Sequence, residues 1–296
     1  MLMNIGKLIL AAWLLVLCSY QTHGQTISQQ YLLQLQADFK LAEQQFDARL
    51  ADSPSDMPTS IELNLQKAQL YMLFQRADLL QPLLSNIEPQ VKTHNDPLMQ
   101  SQWQLFSGIQ FYLVGEYLKA QESFSLSLQS LAEQNHQQEY VYLENFILMY
   151  QAINNAYLQQ YEESLSALTD IFKRAEKNNW PIIQARSLVF IGEVNYTLQN
   201  YEQALEYYHN AFISYPNDAL IYKAEAQMYQ AQMVNIVGER SVAFAQLEQA
   251  IAVFEELHDE VRLANAYLLK SYFYSKVPDN NKALEWIAKS VVIREN

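Results

Sequence analysis

The sequence has a single cysteine in 296 residues, Cys18, which lies in the N-terminal segment. If that segment is removed on export, the mature chain contains no cysteine. Disulfide bonds, thiolate nucleophiles and cysteine-based metal sites are then excluded. Burial of apolar side chains must therefore stabilise the fold without covalent cross-links.

Glycine and proline are also scarce, with six and eight residues, while hydrophobic residues make up 50% of the chain. Loop-rich and all-β proteins need more of both, because tight turns depend on them. Tyrosine is abundant, with 20 residues. This composition favours an all-α protein built from long amphipathic helices.

Basic residues are few, since 19 Lys and Arg stand against 32 Asp and Glu, and the formal net charge is −13. A protein that binds nucleic acid needs a basic surface that displaces counterions from the phosphates. The basic residues here are scattered along the chain. Nucleic acid and anionic lipid are therefore poor candidates for a partner, and the acidity is typical of a solvated surface.

The first 24 residues differ from the rest. Lys7 precedes the apolar run LILAAWLLVLCSY, which QTHGQT follows. This order is typical of a secretory signal peptide, and the small residues Thr22 and Gly24 predict cleavage after Gly24. The apolar run is shorter than the roughly 20 residues that a membrane span needs. The alternative is a lipoprotein signal at Cys18, although Leu17 stands where that signal requires a small residue.

The segment NYEQALEYYHNAFISYP, residues 200–216, has counterparts elsewhere in the chain. Its pattern of Tyr201, Ala204, Tyr208 and Ala211 recurs around positions 80, 120, 164, 204, 243 and 283, which lie 39 to 44 residues apart. A near-constant period of this length is typical of a solenoid. Tyr201 and Tyr208 are then packing residues, because stacked repeats bury a continuous core.

Each repeat is predicted to be a helical hairpin whose two helices cross at small residues. Four glycines follow the predicted signal peptide: two lie at predicted crossings, and Gly115 and Gly238 fall between the helices of a hairpin, so none is left for a phosphate-binding loop. The predicted crossing residues are Gly108, Ala152, Gly192, Ala231 and Ser271 on the first helices and Ala120, Ser164, Ala204, Ala243 and Ala283 on the second.

A further helix is predicted before the repeats, over residues 27–50, and it would cap the first repeat. Its apolar residues recur every three or four positions along one face. The segment ADSPSDMPTS then predicts a loop, and Ser60 would cap the next helix. The apolar face consists of Tyr31, Leu35, Phe39, Ala42, Phe46 and Leu50.

The segment LVFIGEVNYTLQNYEQALEYYHNAFISYPND resembles a tetratricopeptide repeat. The resemblance covers roughly residues 60–296, and the period exceeds the 34 residues usual in that family. It is similar to the longer repeats of bacterial regulatory proteins. It implies a right-handed α-α superhelix of about six hairpins, behind a signal peptide (1–24) and an N-terminal helix and loop (25–59). The signature positions hold Leu188, Ile191, Gly192, Tyr196, Tyr201, Ala204, Tyr208, Ala211 and Pro216.

The resemblance also implies that the first helix of each hairpin lines a concave groove. Amides there can bond a peptide backbone, and methionine and tyrosine give adaptable apolar contacts. Only one arginine, Arg186, matches the basic clamp with which some relatives hold a carboxylate, and Glu193 follows it. The predicted groove residues are Gln69, Met72, Gln102, Tyr112, Arg186, Glu193, Tyr196, Met228, Gln232, Asn235 and Tyr272.

No motif for catalysis, metal binding or cofactor binding occurs in the sequence. We therefore expect no enzyme and no cofactor. The first hypothesis is an exported scaffold, in a bacterial periplasm, that binds a protein or peptide in its groove. The alternative is the periplasmic sensory region of a membrane signalling protein, of the diguanylate cyclase or histidine kinase type, without its output domain.

The last predicted helix, NKALEWIAKSVVIREN, has no successor to cover its apolar side chains. Trp286, Ile287, Val291 and Val292 lie on it. An uncovered apolar patch tends to mark an interface. We therefore expect either self-association through this helix or a natural chain that continues beyond Asn296, where a further segment could reach the membrane.

Overall fold

The computed structural model describes residues 38–52, 57–132, 138–277 and 280–295. The predicted signal peptide and the possible lipidation at Cys18 lie outside these residues. Within them the chain forms thirteen α-helices: α1 (Phe39–Asp52), α2 (Met57–Leu73), α3 (Ala77–His94), α4 (Pro97–Leu113), α5 (Tyr117–Ala132), α6 (Gln138–Tyr157), α7 (Tyr161–Lys177), α8 (Pro181–Thr197), α9 (Tyr201–Ser214), α10 (Leu220–Ile236), α11 (Arg240–Glu256), α12 (Glu260–Ser275) and α13 (Asn280–Glu295).

Helices α2 to α13 form six successive hairpins, each made of a first and a second helix. All ten predicted crossing residues are buried, and they lie on the helices to which the sequence pattern assigned them. Each hairpin also packs against the next one along the chain. The predicted all-α superhelix of about six hairpins, with its register, is therefore confirmed.

Helix α1 packs against α2 and continues the array at its N-terminal end. The predicted apolar face is confirmed where it is described, since Phe39, Ala42 and Phe46 are buried. The loop that follows is shorter than predicted, because α2 begins at Met57. Ser60 is thus not a helix cap but lies inside α2, where its carbonyl oxygen accepts a hydrogen bond from Asn64.

The apolar core runs without interruption along the stacked hairpins. One cluster of buried residues extends from Phe39 in α1 to Met233 in α10 and also includes Leu257 after α11, and a second fills the space among helices α10 to α12. Tyr229 packs against both clusters. Among the described residues, no helix combines the length and apolar character needed to cross a bilayer.

The array curves until its two ends meet. The Nη1 atom of Arg262, in α12, donates a hydrogen bond of 2.9 Å to the carbonyl oxygen of Leu73, which lies 189 residues earlier. The backbone N–H of Phe39 donates to the carbonyl oxygen of Leu257 at 3.1 Å. The Asp38 carboxylate lies 2.8 Å from Nδ1 of His258. Contact between the two ends narrows the concave side to a partly open cavity, which replaces a groove running the length of the array.

Helix α13 exposes an apolar patch at the far end of the array. Ile287, Val291 and Val292 are between 41% and 57% exposed. Trp286 is half-buried, because Nζ of Lys270 sits 3.6 Å from its ring centroid. The predicted patch is present without Trp286, and self-association through it stays a prediction.

Candidate functional site

The curvature of the array encloses a cavity of about 400 Å³. The first helices of all six hairpins contribute to its wall, together with residues from the neighbouring turns and second helices. We call it the central cavity. It is lined by Met72, Leu73, Gln75, Ile109, Tyr112, Leu113, Tyr117, Tyr150, Tyr157, Arg186, Phe190, Glu193, Tyr196, Thr197, Tyr208, Tyr222, Glu225, Tyr229, Gln232 and Arg262.

Helical periodicity explains which side chains point into the cavity. In α8, Arg186, Phe190, Glu193 and Thr197 recur at intervals of four, three and four and so share one face. The other face of α8 packs into the hairpin core, which is why most of the helix is buried. Helix α10 presents a similar stripe, in which Tyr222, Glu225, Tyr229 and Gln232 line the cavity.

A buried carboxylate, Glu225, joins four of the six hairpins at the cavity wall. Its Oε2 atom accepts a hydrogen bond from Nη1 of Arg186 in α8. Its Oε1 atom accepts from Nε of Arg262 in α12 at 2.9 Å and from Nε2 of Gln75 in the α2–α3 turn at 3.0 Å. Both oxygens are satisfied, so this network stabilises the closed array and leaves Glu225 little capacity for a ligand.

The two arginines keep Glu225 ionised in this buried place. Burial alone would raise the pKa of Glu225, but Arg262 and Arg186 outweigh it and hold the pKa below its ordinary value. Arg262 also pairs with the buried carboxylate of Asp259 at 2.7 Å. Arg186 stacks over the ring of Phe190, with its Cζ atom 4.6 Å from the centroid.

Glu193 differs from Glu225 in having no partner. Among the described residues, no group donates a hydrogen bond to its carboxyl group, which lines the cavity two helical turns after Arg186. Burial raises the pKa of Glu193 to about 8, although the charge of Arg186 partly opposes this shift. Near neutral pH the folded protein therefore holds an uncommitted carboxyl group that can gain or lose a proton.

Tyrosine rings form much of the remaining wall. Tyr112, Tyr117 and Tyr157 pack together, with centroids 4.8 to 6.1 Å apart. On another side, Tyr208 and Tyr229 stack with centroids 5.3 Å apart. Burial, and then the charge of Glu193, raises the pKa values of Tyr112 and Tyr208. These rings therefore surround Glu193 with apolar faces and neutral hydroxyl groups.

The structure brings six of the eleven predicted groove residues together in the central cavity: Met72, Tyr112, Arg186, Glu193, Tyr196 and Gln232. Gln69 and Gln102 line a separate recess of about 80 Å³ between α2 and α4. The predicted continuous groove is thus divided into two spaces, because packing of the first two hairpins closes the wall between them.

Three predicted residues lie elsewhere. Met228 was predicted to face the groove, but it is buried in the core beside α11. The same repeat position holds Leu105 and Val189, which are also core residues, so this position faces the hairpin interior. Asn235 is buried outside the cavity lining, and Tyr272 is 42% exposed on α12.

Several lining residues escaped the sequence pattern. Tyr150 and Tyr157 belong to the third hairpin, whose period of 44 residues made its register ambiguous. Gln75 lies in the turn between α2 and α3, and Arg262 lies in the first turn of α12. Neither residue was among the predicted groove positions. Their role depends on closure of the array, and only contacts between distant hairpins could have revealed it.

Comparison with known proteins finds no matching family model and no matching curated protein. Solved structures do match. NprR in complex with its cognate peptide NprX is similar over 89% of this chain and 75% of that chain, with a TM-score of 0.68 and 15% identity. A Rap protein complexed with competence and sporulation factor matches over 90% and 75%, with a TM-score of 0.65 and 14% identity.

A third structure, aspartyl phosphate phosphatase F from Bacillus subtilis, matches over 80% of this chain and 70% of that chain, with a TM-score of 0.55 and 16% identity. Likeness at these identities shows the fold alone. The chain has a tetratricopeptide-like helical-repeat fold, as its sequence pattern predicts. One neighbour is described with a peptide and another as a phosphatase, so the function must be argued from the cavity.

Proposed function

We propose that this chain is an exported, non-enzymatic scaffold that binds a short segment of a peptide or protein in the central cavity. The observation that carries the proposal is the central cavity itself, which the first helices of all six hairpins line together. A volume of about 400 Å³ lies within the range of small-ligand sites, roughly 300–1,000 Å³. It suits a few residues of an extended chain and excludes a folded domain.

The wall chemistry suits such an occupant. Tyrosine rings give large and rigid apolar contacts, while their hydroxyl groups and the amide of Gln232 can bond a peptide backbone. The network around Glu225 holds the wall in place before a ligand arrives, so little ordering is needed on binding. The shared fold with NprR, described in complex with its cognate peptide, supports the same interpretation.

The lining supports a binding role over catalysis. The residues that line the central cavity include no serine, histidine, cysteine, lysine or aspartate. Of its two carboxylates, Glu225 is engaged by Arg186, Arg262 and Gln75. Glu193 remains as an acid or base. The hydroxyl groups near it belong to tyrosines such as Tyr112 and Tyr208, whose pKa values burial raises, so they stay protonated and supply neither a base nor an activated nucleophile. The Thr197 hydroxyl donates a hydrogen bond to the carbonyl oxygen of Glu193.

Export is proposed from the sequence alone, on the basis of Lys7, the apolar run and the small residues Thr22 and Gly24. Mass spectrometry of the mature protein should find Gln25 at its N terminus. A cytoplasmic protein that retains Met1 would contradict export without affecting the cavity.

The binding proposal can be tested with a pool of short random peptides displayed on phage. Peptides selected on the wild-type protein are assayed against Gln232→Trp, which places a bulky side chain into the cavity. Gln203→Trp is the matched control, because Gln203 lies on the exposed face of α9. We expect Gln232→Trp to reduce affinity at least about tenfold, which is 1.4 kcal/mol. Equal affinity for both variants would place the peptide site elsewhere.

A further inference from the structure

The charged groups of the central cavity fall into two sets. One set joins three lining residues, Arg186, Arg262 and Glu225, to Asp259 outside the lining, and these four groups neutralise one another through direct ion pairs. The guanidinium of Arg262 also donates to the carbonyl oxygen of Leu73 at 2.9 Å, so three of its five N–H donors are engaged within the fold. This set is a structural network that needs no ligand.

Glu193 stands outside that network. Its carboxyl group lines the same cavity and receives no hydrogen bond from the described residues. A half-buried carboxylate without a protein partner is costly, because burial disfavours its charge. A positive charge that enters the cavity beside Glu193 would therefore stabilise its anionic form.

The surfaces around Glu193 favour a positive charge over a neutral donor. The charge of Glu193 contributes to raising the pKa values of four tyrosine hydroxyl groups, those of Tyr112, Tyr157, Tyr208 and Tyr229. Aromatic rings attract cations through the negative potential of their faces, and more so when water is excluded. A carboxylate among tyrosines therefore combines both kinds of attraction in one place.

We propose that the central cavity holds a positively charged nitrogen group of its ligand, an ammonium or a guanidinium, between the Glu193 carboxylate and the surrounding tyrosine rings. This inference rests on the proposed peptide-binding function and names the feature of the peptide that the cavity selects. The group comes either from the free amino terminus of the peptide or from a lysine or arginine side chain.

An anionic group fits this place poorly. A carboxylate would meet the charge of Glu193, and the two arginines nearby are already paired with Glu225 and Asp259. The net charge of −13 acts in the same direction, because an acidic protein attracts cationic partners and repels acidic ones. The cavity and the net charge of the protein thus both favour a cationic ligand.

The peptides selected on the wild-type protein provide one test. We expect them to lose affinity at least about tenfold against Glu193→Gln, and to keep it against Glu206→Gln, the matched change on the exposed face of α9. Acetylation of the amino terminus and replacement of lysine or arginine by norleucine distinguish the two sources of charge. The proposal would be overturned by peptides that bind Glu193→Gln as tightly as wild type and that lose no affinity on acetylation or on replacement by norleucine.

A second test needs no peptide. Butylammonium chloride is titrated into the full-length protein at about pH 9, where Glu193 with its pKa of about 8 is ionised, and tyrosine ring signals are followed by NMR. We expect saturable shifts for wild type and Glu206→Gln, and binding at least about tenfold weaker for Glu193→Gln. Butanol, the neutral analogue, should cause none.

The two proposals can fail separately. If butanol and butylammonium shift the signals equally, or if Glu193→Gln responds like wild type, the cation assignment is wrong even when peptides bind. If selected peptides bind Gln232→Trp as tightly as wild type, the peptide site is not the central cavity, while the butylammonium titration still decides what Glu193 attracts. Circular dichroism confirms that each variant keeps its helical content.

Discussion

At the scale of single residues, the turns within the hairpins adopt left-handed backbone, which lowers stability where the residue is not glycine. Gln199, between α8 and α9, has a φ of 63°, and Gly238, between α10 and α11, has a φ of 104°. Left-handed backbone costs a non-glycine residue about 1–2 kcal/mol, whereas glycine adopts it freely. Glycine is more flexible in the unfolded chain, which offsets about 0.4–1 kcal/mol of that gain.

We therefore expect Gln199→Gly to raise the free energy of unfolding by about 0.5–1 kcal/mol. Gly238→Gln is the reverse change at an equivalent turn and should lower it by a similar amount. No atom lies within 4 Å of a Cβ built on Gly238, so the effect there is one of backbone conformation and not of crowding. Urea unfolding of the two variants measures both values, and a loss of stability in Gln199→Gly would contradict the argument.

Glu193 predicts a specific dependence of stability on pH. Its pKa is raised from 4.5 to about 8 in the folded protein, chiefly by burial. Between these values the folded state binds more protons than the unfolded chain, so rising pH destabilises it. The wild-type protein should therefore lose stability relative to Glu193→Gln as the pH rises from 4.5 to about 8, and the difference should level off above that.

The groups that face Glu193 do not titrate in this window. Burial raises the pKa values of the tyrosines above their ordinary value of 10, and the arginines keep Glu225 ionised. The difference between the two proteins thus reports Glu193 alone. A constant difference between wild type and Glu193→Gln in thermal melts would refute the shifted pKa. The facing groups are Arg186, Glu225, Tyr112, Tyr157, Tyr208 and Tyr229.

At the scale of the helices, the residue at each crossing matches the size of its partner. A Cβ added to Gly108 would lie 2.6 Å from Cδ1 and Cε1 of Phe124, so only glycine fits against this ring. The third hairpin has Ala152 at the position equivalent to Gly108 and Leu168 at that of Phe124. A smaller partner thus accompanies a larger crossing residue.

Gly108→Ala should cost about 1–3 kcal/mol through overpacking, less about 1 kcal/mol from better helix propensity. Adding Phe124→Leu copies the third hairpin and should relieve the clash. We expect the double variant to be about 1 kcal/mol more stable than the sum of the two single changes predicts, measured in a double-mutant cycle. Additive effects would mean that the two residues do not share one crossing.

The same small residues explain why the helices could be predicted from the sequence. Ala204 and its counterparts repeat because every hairpin must bring two helices close together, a local rule that one period displays. Positions between the crossings were harder to assign to the core or to the cavity wall. Met228 belongs to the core because its helix is covered on more than one side, and a period shared by all repeats does not tell the wall of a cavity from the interior of a hairpin.

At the scale of the whole molecule, closure of the array decides the site. Repeat proteins ordinarily gain stability only from neighbouring units. Here Arg262 reaches Leu73 across the cavity, and Phe39 bonds to Leu257. No pattern within a repeat encodes a contact between the first and last hairpins, so the sequence predicted a groove but not the contact between its ends that narrows it to the central cavity.

Arg262→Gln tests this closure. It removes the bond to Leu73 and leaves Glu225 and Asp259 buried with one partner fewer, which should cost about 3–5 kcal/mol. Arg294→Gln is the matched control, because Arg294 is exposed and, within the described part of the chain, its side chain bonds to Asn265 alone, so the change should cost no more than about 0.5 kcal/mol.

If the folded array opens, the radius of gyration from small-angle X-ray scattering should rise in Arg262→Gln but not in Arg294→Gln. The backbone amide of Phe39, which donates to Leu257 in the closed array, should also exchange its hydrogen faster. An unchanged radius with unchanged exchange at Phe39 would show that the ends stay together without Arg262. The network around Glu225 would then stabilise the cavity wall without closing the ring, and ligand affinity would survive the substitution.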